Sequence, residues 1–91
     1  MKRLSVAEIE RELAGTPGWE LVEDSIVRTV KFRDFKEAMA YVNRVAEVAE
    51  ELNHHPDVEI RWNVVVLTQT THAAGGLTEH DFHLARRLNA L

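Results

Sequence analysis

The clearest pattern along the chain is an apolar repeat of helical spacing that begins after Asp34. Asp34 and Glu37 have the spacing of a capping box, and Pro56 requires the helix to end close to Asn53. Apolar residues recur between these limits at intervals of three and four: Phe35, Ala38, Met39, Val42, Val45, Ala46, Ala49 and Leu52. The pattern predicts an amphipathic helix of about five turns, and Asn53 is a candidate for the left-handed capping conformation.

Two shorter helices are predicted near the ends of the chain. Ser5 and Glu8 form a second capping-box pattern, so a helix should run to about Leu13 before residues 15–18 break it. Thr78 should open the last helix. The apolar residues on one side of that helix are Phe82, Ala85, Leu88 and Leu91.

The segments between the helices predict two β-hairpins. Residues 19–22 and 26–32 are rich in β-branched and aromatic side chains, with a polar turn at 23–25. After the long helix, residues 58–62 alternate between apolar and charged, which is typical of a strand with one solvated face. Residues 64–71 are β-branched almost throughout and predict the fourth strand.

This element order predicts an α+β fold, α-β-β-α-β-β-α, whose two hairpins form a four-stranded antiparallel sheet with helices packed on one face. Ninety-one residues fit a single domain spanning 1–91. A chain of this length has a modest core, so self-association through the other face or an edge would be a natural source of extra burial.

Composition excludes several kinds of chemistry. The net charge is -4 and the basic residues are scattered, which argues against a nucleic-acid surface. The absence of cysteine excludes disulfides, thiolate catalysis and cysteine-ligated zinc. No apolar run suggests a signal peptide or approaches the roughly 20 residues needed to cross a bilayer, so we expect a cytoplasmic protein without membrane contact.

The candidate chemistry lies in the pair His54-His55, which Pro56 follows at once. Histidine exchanges protons near neutral pH, its ordinary pKa being about 6.5. If the second hairpin folds about Trp62-Asn63, residues facing each other have numbers that sum to about 125 to 127. His72 meets this condition with both His54 and His55. We therefore expect His72 beside the pair, at the roughly 5 Å separation of opposed side chains.

Other residues could border the same site. Glu50 lies one helical turn before His54, close enough to orient an imidazole if the last turn persists. Asp81 falls in the first turn of the final helix, where a carboxylate can both cap the helix and face the cleft. Trp62 could line the hairpin with a flat apolar face.

These residues resemble a known family. Glu50, three residues, His54-His55-Pro56, five residues, Trp62, nine residues, His72, eight residues and Asp81 reproduce without a gap the pattern of the pterin-4a-carbinolamine dehydratases. Length and element order are similar over the rest of the chain. The chain departs from some animal members at Ala74, where they carry cysteine, and at Val58, where they carry an aromatic residue.

The resemblance implies a hydro-lyase that converts 4a-hydroxytetrahydrobiopterin to quinonoid dihydropterin and water, in tetrahydrobiopterin recycling. It implies that His54 and His72 are the general acid/base groups on opposite faces of the ring. His55, with Pro56 and Trp62, would bind the pterin, and Glu50 and Asp81 would support the site. No metal or organic cofactor is implied, and the protein would be a homodimer or homotetramer.

Simpler interpretations remain open at this point. A histidine pair before a proline is also typical of a polar helix terminus, and Asp81 can be a cap alone. His80 and His83 share the spacing of zinc ligands but have no third ligand at matching spacing. The chain could instead be a dimerising interaction module whose long helix carries the contact, or it could handle the pterin of the molybdenum cofactor.

Overall fold

The computed structural model, which describes residues 2–91, confirms the predicted order of three helices and four antiparallel strands. The elements are α1 (Val6–Ala14), β1 (Glu20–Val22), β2 (Ser25–Lys31), α2 (Phe35–Leu52), β3 (Asp57–Arg61), β4 (Val64–Gln69) and α3 (Glu79–Asn89). A short 3-10 helix, His72–Ala74, lies between β4 and α3. The fold is therefore α+β with two hairpins, as the sequence predicts.

The two hairpins join through their second strands to form one sheet of order β1-β2-β4-β3. In the second hairpin, Asp57 pairs with Thr68 and Arg61 with Val64, so paired residues have numbers that sum to 125. Two residues, Trp62 and Asn63, make the turn. The strands β2 and β4 occupy the centre of the sheet, and β1 and β3 are its edges.

Alternation along the central strands separates the two faces of the sheet. In β4, the buried residues Val65, Leu67 and Gln69 alternate with the partly buried residues at 64, 66 and 68. Ile26 of β2 is fully buried and pairs with Gln69, which places both on the covered face. Helices α2 and α3 supply the opposite side of the core, with Phe82, Ala85 and Leu88 fully or almost fully buried. Leu91, which the sequence assigned to the same side of α3, is 46% exposed.

The termini of α2 follow from local hydrogen bonding. Asp34 accepts a hydrogen bond from the Glu37 N–H at 2.9 Å, but the Glu37 carboxylate binds the Arg33 N–H, so only half of the predicted capping box forms. Asn53 ends the helix with φ 52°, in the left-handed conformation that the sequence predicts. Asparagine suits this position because its short polar side chain tolerates the left-handed conformation better than most side chains do.

The buried face of α2 differs in part from the predicted one. Tyr41 and Val48 are buried, whereas Phe35, counted in the apolar repeat, is 49% exposed and Ala46 is also exposed. The sheet and α3 cover a narrower strip of the helix than its apolar residues span. A partly exposed apolar strip therefore remains on the helix surface.

Contacts from distant segments hold α3 at both ends. At its N-terminal side, the Leu4 N–H donates to the Leu77 carbonyl at 2.8 Å. At its C-terminal side, the Asn89 Oδ1 accepts from Trp19 Nε1 at 2.9 Å and from the Arg28 guanidinium. These contacts fix the position of the helix on the sheet.

Tyr41 carries an unpaired hydroxyl into the core. The residue is 4% exposed, its ring packs on Phe32 with centroids 5.0 Å apart, and no described residue accepts or donates a hydrogen bond at its hydroxyl. Burial raises the pKa of Tyr41 above its ordinary value of 10.0, against a smaller opposing effect of Arg28 and Arg44. The neutral hydroxyl is therefore favoured in the folded state.

Tyr41→Phe should increase the free energy of unfolding by up to about 1 kcal/mol at pH 7, because it removes an unpaired polar group. As pH rises above 10.0, unfolded Tyr41 ionises before folded Tyr41 does, so the native protein loses stability and the variant does not. Urea unfolding of both proteins between pH 7 and 11 measures this. A stability difference that shrinks with rising pH would contradict the prediction.

Candidate active site

The end of α2 determines how the histidine pair is presented. The His54 N–H donates to the Ala49 carbonyl at 3.1 Å, which closes the last turn after the left-handed Asn53. The backbone then continues through His55 and Pro56 into β3. The pair therefore lies at the open end of the second hairpin, opposite the Trp62-Asn63 turn.

His54 is anchored to a buried carboxylate. Its Nε2 lies 2.6 Å from Asp81 Oδ1, and the two side chains are 15% and 0% exposed. This interaction joins the end of α2 to the first turn of α3. A carboxylate bound to one ring nitrogen fixes the ring orientation and leaves the other nitrogen, Nδ1, for a different partner.

Asp81 also caps its own helix. Its Oδ2 accepts from the Thr78 N–H at 3.0 Å, within a capping box in which the Thr78 side chain accepts in turn. The Thr71 hydroxyl donates to the same oxygen at 2.8 Å and lies 2.9 Å from the Thr78 hydroxyl. The two roles that the sequence left open for Asp81, cap and neighbour of the histidine pair, are both observed in its contacts.

The position of Glu50 corrects the sequence interpretation. The carboxylate of Glu50 contacts the Nε2 of His55, not His54. The reason is that α2 ends at Leu52, so helical spacing no longer relates Glu50 to His54. The side chains of His55 and Glu50 are 53% and 77% exposed, and such exposed pairs contribute little to stability.

His72 is at the same end of the hairpin as the pair but outside the strand ladder. The fourth strand ends at Gln69, two residues short of its predicted limit, and His72 is the exposed first residue of the 3-10 helix. Extending the observed register by numbers alone puts Thr71, not His72, opposite His54. The expected ladder pairing of His72 with His54 or His55 is therefore wrong. It is Thr71 that is linked to His54, through Asp81.

Trp62 lies at the far end of the hairpin from the histidine pair. It is the first turn residue, with φ 50° and 65% exposure, and it lies outside the observed strand β3, although the sequence placed it within that strand. The five residues of β3 span about 16 Å at roughly 3.3 Å each. Within one chain, Trp62 is therefore not brought to the histidine pair.

His80 is a neighbour of the site that sequence reasoning did not assign to it. Its ring centroid lies 5.9 Å from that of His54, with the planes tilted by 50°. Its position beside Asp81 in the first turn of α3 is the sequence signal that could have placed it near His54. The sequence pattern indicated His80 only as a possible zinc ligand with His83. Among the described residues, no group of three or more His, Asp or Glu side chains is arranged to hold a metal ion.

Two surface clefts adjoin His80. The larger, with a volume of about 450 Å³, is lined by residues of α1 and α3: Glu12, Glu79, His80, His83 and Arg86. The second, of about 310 Å³, is lined by Lys2, Leu4, Glu8, Glu79 and His80. Neither cleft is lined by His54 or His72. None of the helices within residues 2–91 has the length and apolar character required to span a membrane.

Comparison with known proteins identifies similar chains over the whole length. Residues 2–91 match the family model described as Pterin 4 alpha carbinolamine dehydratase. A Thermomicrobium roseum protein provisionally named as a pterin-4-alpha-carbinolamine dehydratase is 57% identical over 91 residues, which are 100% of this chain and 98% of that protein. An Acidobacterium capsulatum protein with the same provisional name is 52% identical, covering 100% and 99%.

Solved structures show the same fold. A Brucella melitensis protein described as a transcriptional coactivator/pterin dehydratase superposes with a TM-score of 0.93 at 37% identity, covering 98% of this chain and 97% of that one. A pterin dehydratase-like protein described as a RuBisCO assembly factor in the alpha-carboxysome has a TM-score of 0.64 at 19% identity, covering 79% and 83%. The second likeness concerns the fold alone.

Proposed function

Because this chain belongs to the pterin 4 alpha carbinolamine dehydratase family, we propose that it dehydrates a 4a-hydroxytetrahydropterin, by histidine general acid/base catalysis, to quinonoid dihydropterin and water. The anchored His54 is the observation that carries the mechanism. Its Nε2 is bound to buried Asp81, so its orientation is set before substrate arrives. The substrate proposed is 4a-hydroxytetrahydrobiopterin, and the reaction would belong to its recycling.

The reaction requires one proton transfer at each of two positions of the pterin ring. The hydroxyl on ring carbon 4a leaves as water after gaining a proton, and the ring N5–H loses one, so the two transfers balance. We assign these transfers to His54 and His72. The exposed position of His72, beyond the same end of the hairpin, is compatible with a ring lying between the two imidazoles.

The remaining assignments follow from exposure and contacts. His55 would bind and orient the pterin, with Glu50 holding its ring and Pro56 fixing the backbone between the pair and β3. Asp81 would support His54. Trp62 is left out of this chain's site because it lies at the opposite end of β3. No step in the proposed reaction requires a metal or an organic cofactor.

The purified protein should accelerate the dehydration of a 4a-hydroxytetrahydropterin, followed by the absorbance of the quinonoid product. His54→Gln/His72→Gln should return the rate to that of buffer, because both proton-transfer groups are lost. The matched control is His83→Gln, which replaces an exposed histidine of α3 and should retain the wild-type rate. A wild-type protein no faster than buffer, or a double variant as fast as wild type, would exclude the proposed function.

A binding role is a second candidate, and the exposed apolar residues of α2 favour it. Phe35 is 49% exposed and Ala46 is exposed on the same helix. The 37% identical relative is itself described as both a coactivator and a pterin dehydratase. If binding is the function, Phe35→Ser should abolish recovery of a stable partner while a catalytically inactive double histidine variant still recovers it. Handling of the molybdenum cofactor's pterin would instead appear as preference for that pterin in the same assay.

Location and assembly complete the proposal. We assign the protein to the cytoplasm, acting on a soluble pterin as a single domain, 1–91, in a homodimer or homotetramer. Sizing chromatography with light scattering measures the assembly state.

A further inference from the structure

Two buried threonines enclose the carboxylate that holds His54. Thr71 is 7% exposed and Thr78 is fully buried, and neither belongs to the residues that the sequence singled out for the site. The Thr71 hydroxyl lies 2.8 Å from Asp81 Oδ2, and the Thr78 N–H lies 3.0 Å from the same oxygen. The two hydroxyls are 2.9 Å apart. Asp81 therefore contacts Thr71, Thr78 and His54, which come from three different places in the fold.

Counting hydrogens gives each of these bonds a direction. The Thr78 Oγ1 accepts from the His80 N–H at 3.3 Å, so its own hydrogen is free to be donated to Thr71 Oγ1. Thr71 has one hydrogen and gives it to Asp81 Oδ2. If Thr71 donated to Thr78 instead, Thr71 Oγ1 and Asp81 Oδ2 would face each other at 2.8 Å in the protein interior with no hydrogen between them, which is unfavourable. Asp81 Oδ2 is then an acceptor at both of its contacts, and an ionised carboxylate, which has no hydrogen to donate, accepts at Oδ1 as well, from His54 Nε2.

We propose that Thr71 and Thr78 are positioning residues that hold the Asp81 carboxylate against His54 Nε2, and that the carboxylate held there keeps the ring in one tautomer. Asp81, held as an acceptor, requires the Nε2–H form of the neutral imidazole, so the lone pair lies on Nδ1. Nδ1 is then the atom that exchanges a proton with the substrate. The catalytic consequence rests on the proposed dehydratase function, whereas the tautomer is a property of the free protein and can be measured without substrate.

The side chains packed around His54 allow this selection to be tested cleanly. From α3 it meets Asp81 and the ring of His80, and the carboxylate of Glu50 on α2 contacts His55 instead. Only Asp81 contacts Nε2 among these groups. A change in tautomer after mutation of Thr71 is thus transmitted by Asp81.

The test uses Thr71→Val, which removes the hydroxyl and keeps the shape, with Thr71→Ser as the rescue that keeps the hydroxyl. Histidine ring nitrogens are observed by ¹⁵N NMR at about pH 8.5, where imidazole is mostly neutral. The His54 signals are assigned by their loss in His54→Gln. Wild type and Thr71→Ser should show the Nε2–H tautomer alone. Thr71→Val should show a mixture of both, because the Asp81 carboxylate loses the side-chain contact that holds it against Nε2. With a pterin substrate, kcat of Thr71→Val should fall about 10- to 100-fold at unchanged KM, with recovery in Thr71→Ser.

Thr70→Val is the matched control, because the Thr70 hydroxyl donates to the Asp24 carbonyl and not to Asp81. It should leave both the tautomer and kcat as in wild type. A single unchanged tautomer in Thr71→Val overturns the proposal, whether or not activity falls, since a loss of activity alone would reflect a merely structural role. A wild-type protein with the expected tautomer but no dehydratase activity would refute the proposed function and leave the positioning role standing.

Discussion

Asp81→Asn is expected to fold and to lose about 10²- to 10⁴-fold in kcat, as a histidine held in the wrong tautomer does in other enzymes. Asparagine keeps a side-chain oxygen that can accept from the Thr78 N–H, and Thr78 remains the N-cap, so the first turn of α3 should survive. The asparagine Oδ1 must face the Thr78 N–H, which can only donate. Its NH₂ group then faces His54 Nε2 and forces that nitrogen to accept. The ring hydrogen moves to Nδ1, and the lone pair needed for proton exchange is lost.

The matched control for this prediction is Asp34→Asn. Asp34 is likewise an aspartate that accepts a backbone N–H at the start of a helix: it is the N-cap of α2, accepts from the Glu37 N–H, and lies at the other end of that helix from His54. Its replacement should leave kcat unchanged. Steady-state kinetics and thermal unfolding of the two variants measure the effect. Wild-type activity in Asp81→Asn, or an activity loss that follows the unfolded fraction, would contradict the argument.

His54→Gln and His55→Gln should affect different kinetic constants, although the residues are adjacent. His54 is 15% exposed and anchored, so its replacement should lower kcat by about 10²- to 10⁴-fold with little change in KM. Glutamine can still donate to Asp81, which preserves the link between α2 and α3. His55 is 53% exposed and contacts the exposed carboxylate of Glu50, so its replacement should chiefly raise KM.

Kinetics of the two single variants at saturating and limiting pterin separate these effects. The two variants are controls for each other, because each removes one imidazole and the two positions are adjacent. Equal losses of kcat in the two variants would show that the histidines act together and that the division of roles is wrong. A loss confined to KM in His54→Gln would remove it from the proton-transfer step.

The parts of the fold that the sequence predicted are those governed by local forces. The repeat along α2, its cap at Asp34 and its end at Asn53 each depend on residues within a few positions. The two-residue turn at Trp62-Asn63 likewise gives the register of the second hairpin. Pro56, which disfavours a helical conformation at the residue before it, separates the helix from the strand.

The errors at the site come from extending regular geometry past the end of an element. Glu50 was related to His54 by helical spacing, but the left-handed Asn53 interrupts that spacing. His72 was related to the pair by the strand ladder. The ladder stops at Gln69, and the backbone at Thr71 instead bridges to Gly76 around the 3-10 helix. Small residues between them, with Gly75 at φ 74°, make this tight loop possible.

Contacts between distant elements were beyond local reasoning. The link from Thr71 through Asp81 to His54 requires β4, α3 and the end of α2 to be in their final positions. The approach of His80 to His54 has the same origin. Sequence patterns supplied the residue types and left open which of them touch.

Asp81 binds both His54 and the first turn of α3, and this has an evolutionary consequence. In many enzymes a catalytic group is strained or destabilising, so a chain that loses its activity gains stability by discarding that group. Here the carboxylate that orients His54 also accepts from the buried Thr78 N–H in the capping box of α3, and leaving a buried donor unpaired costs about 1–3 kcal/mol. A descendant that abandons catalysis is thus still under selection to keep an acceptor at this position. The ancestral proton-transfer geometry would persist in such a descendant, and activity could return by few substitutions.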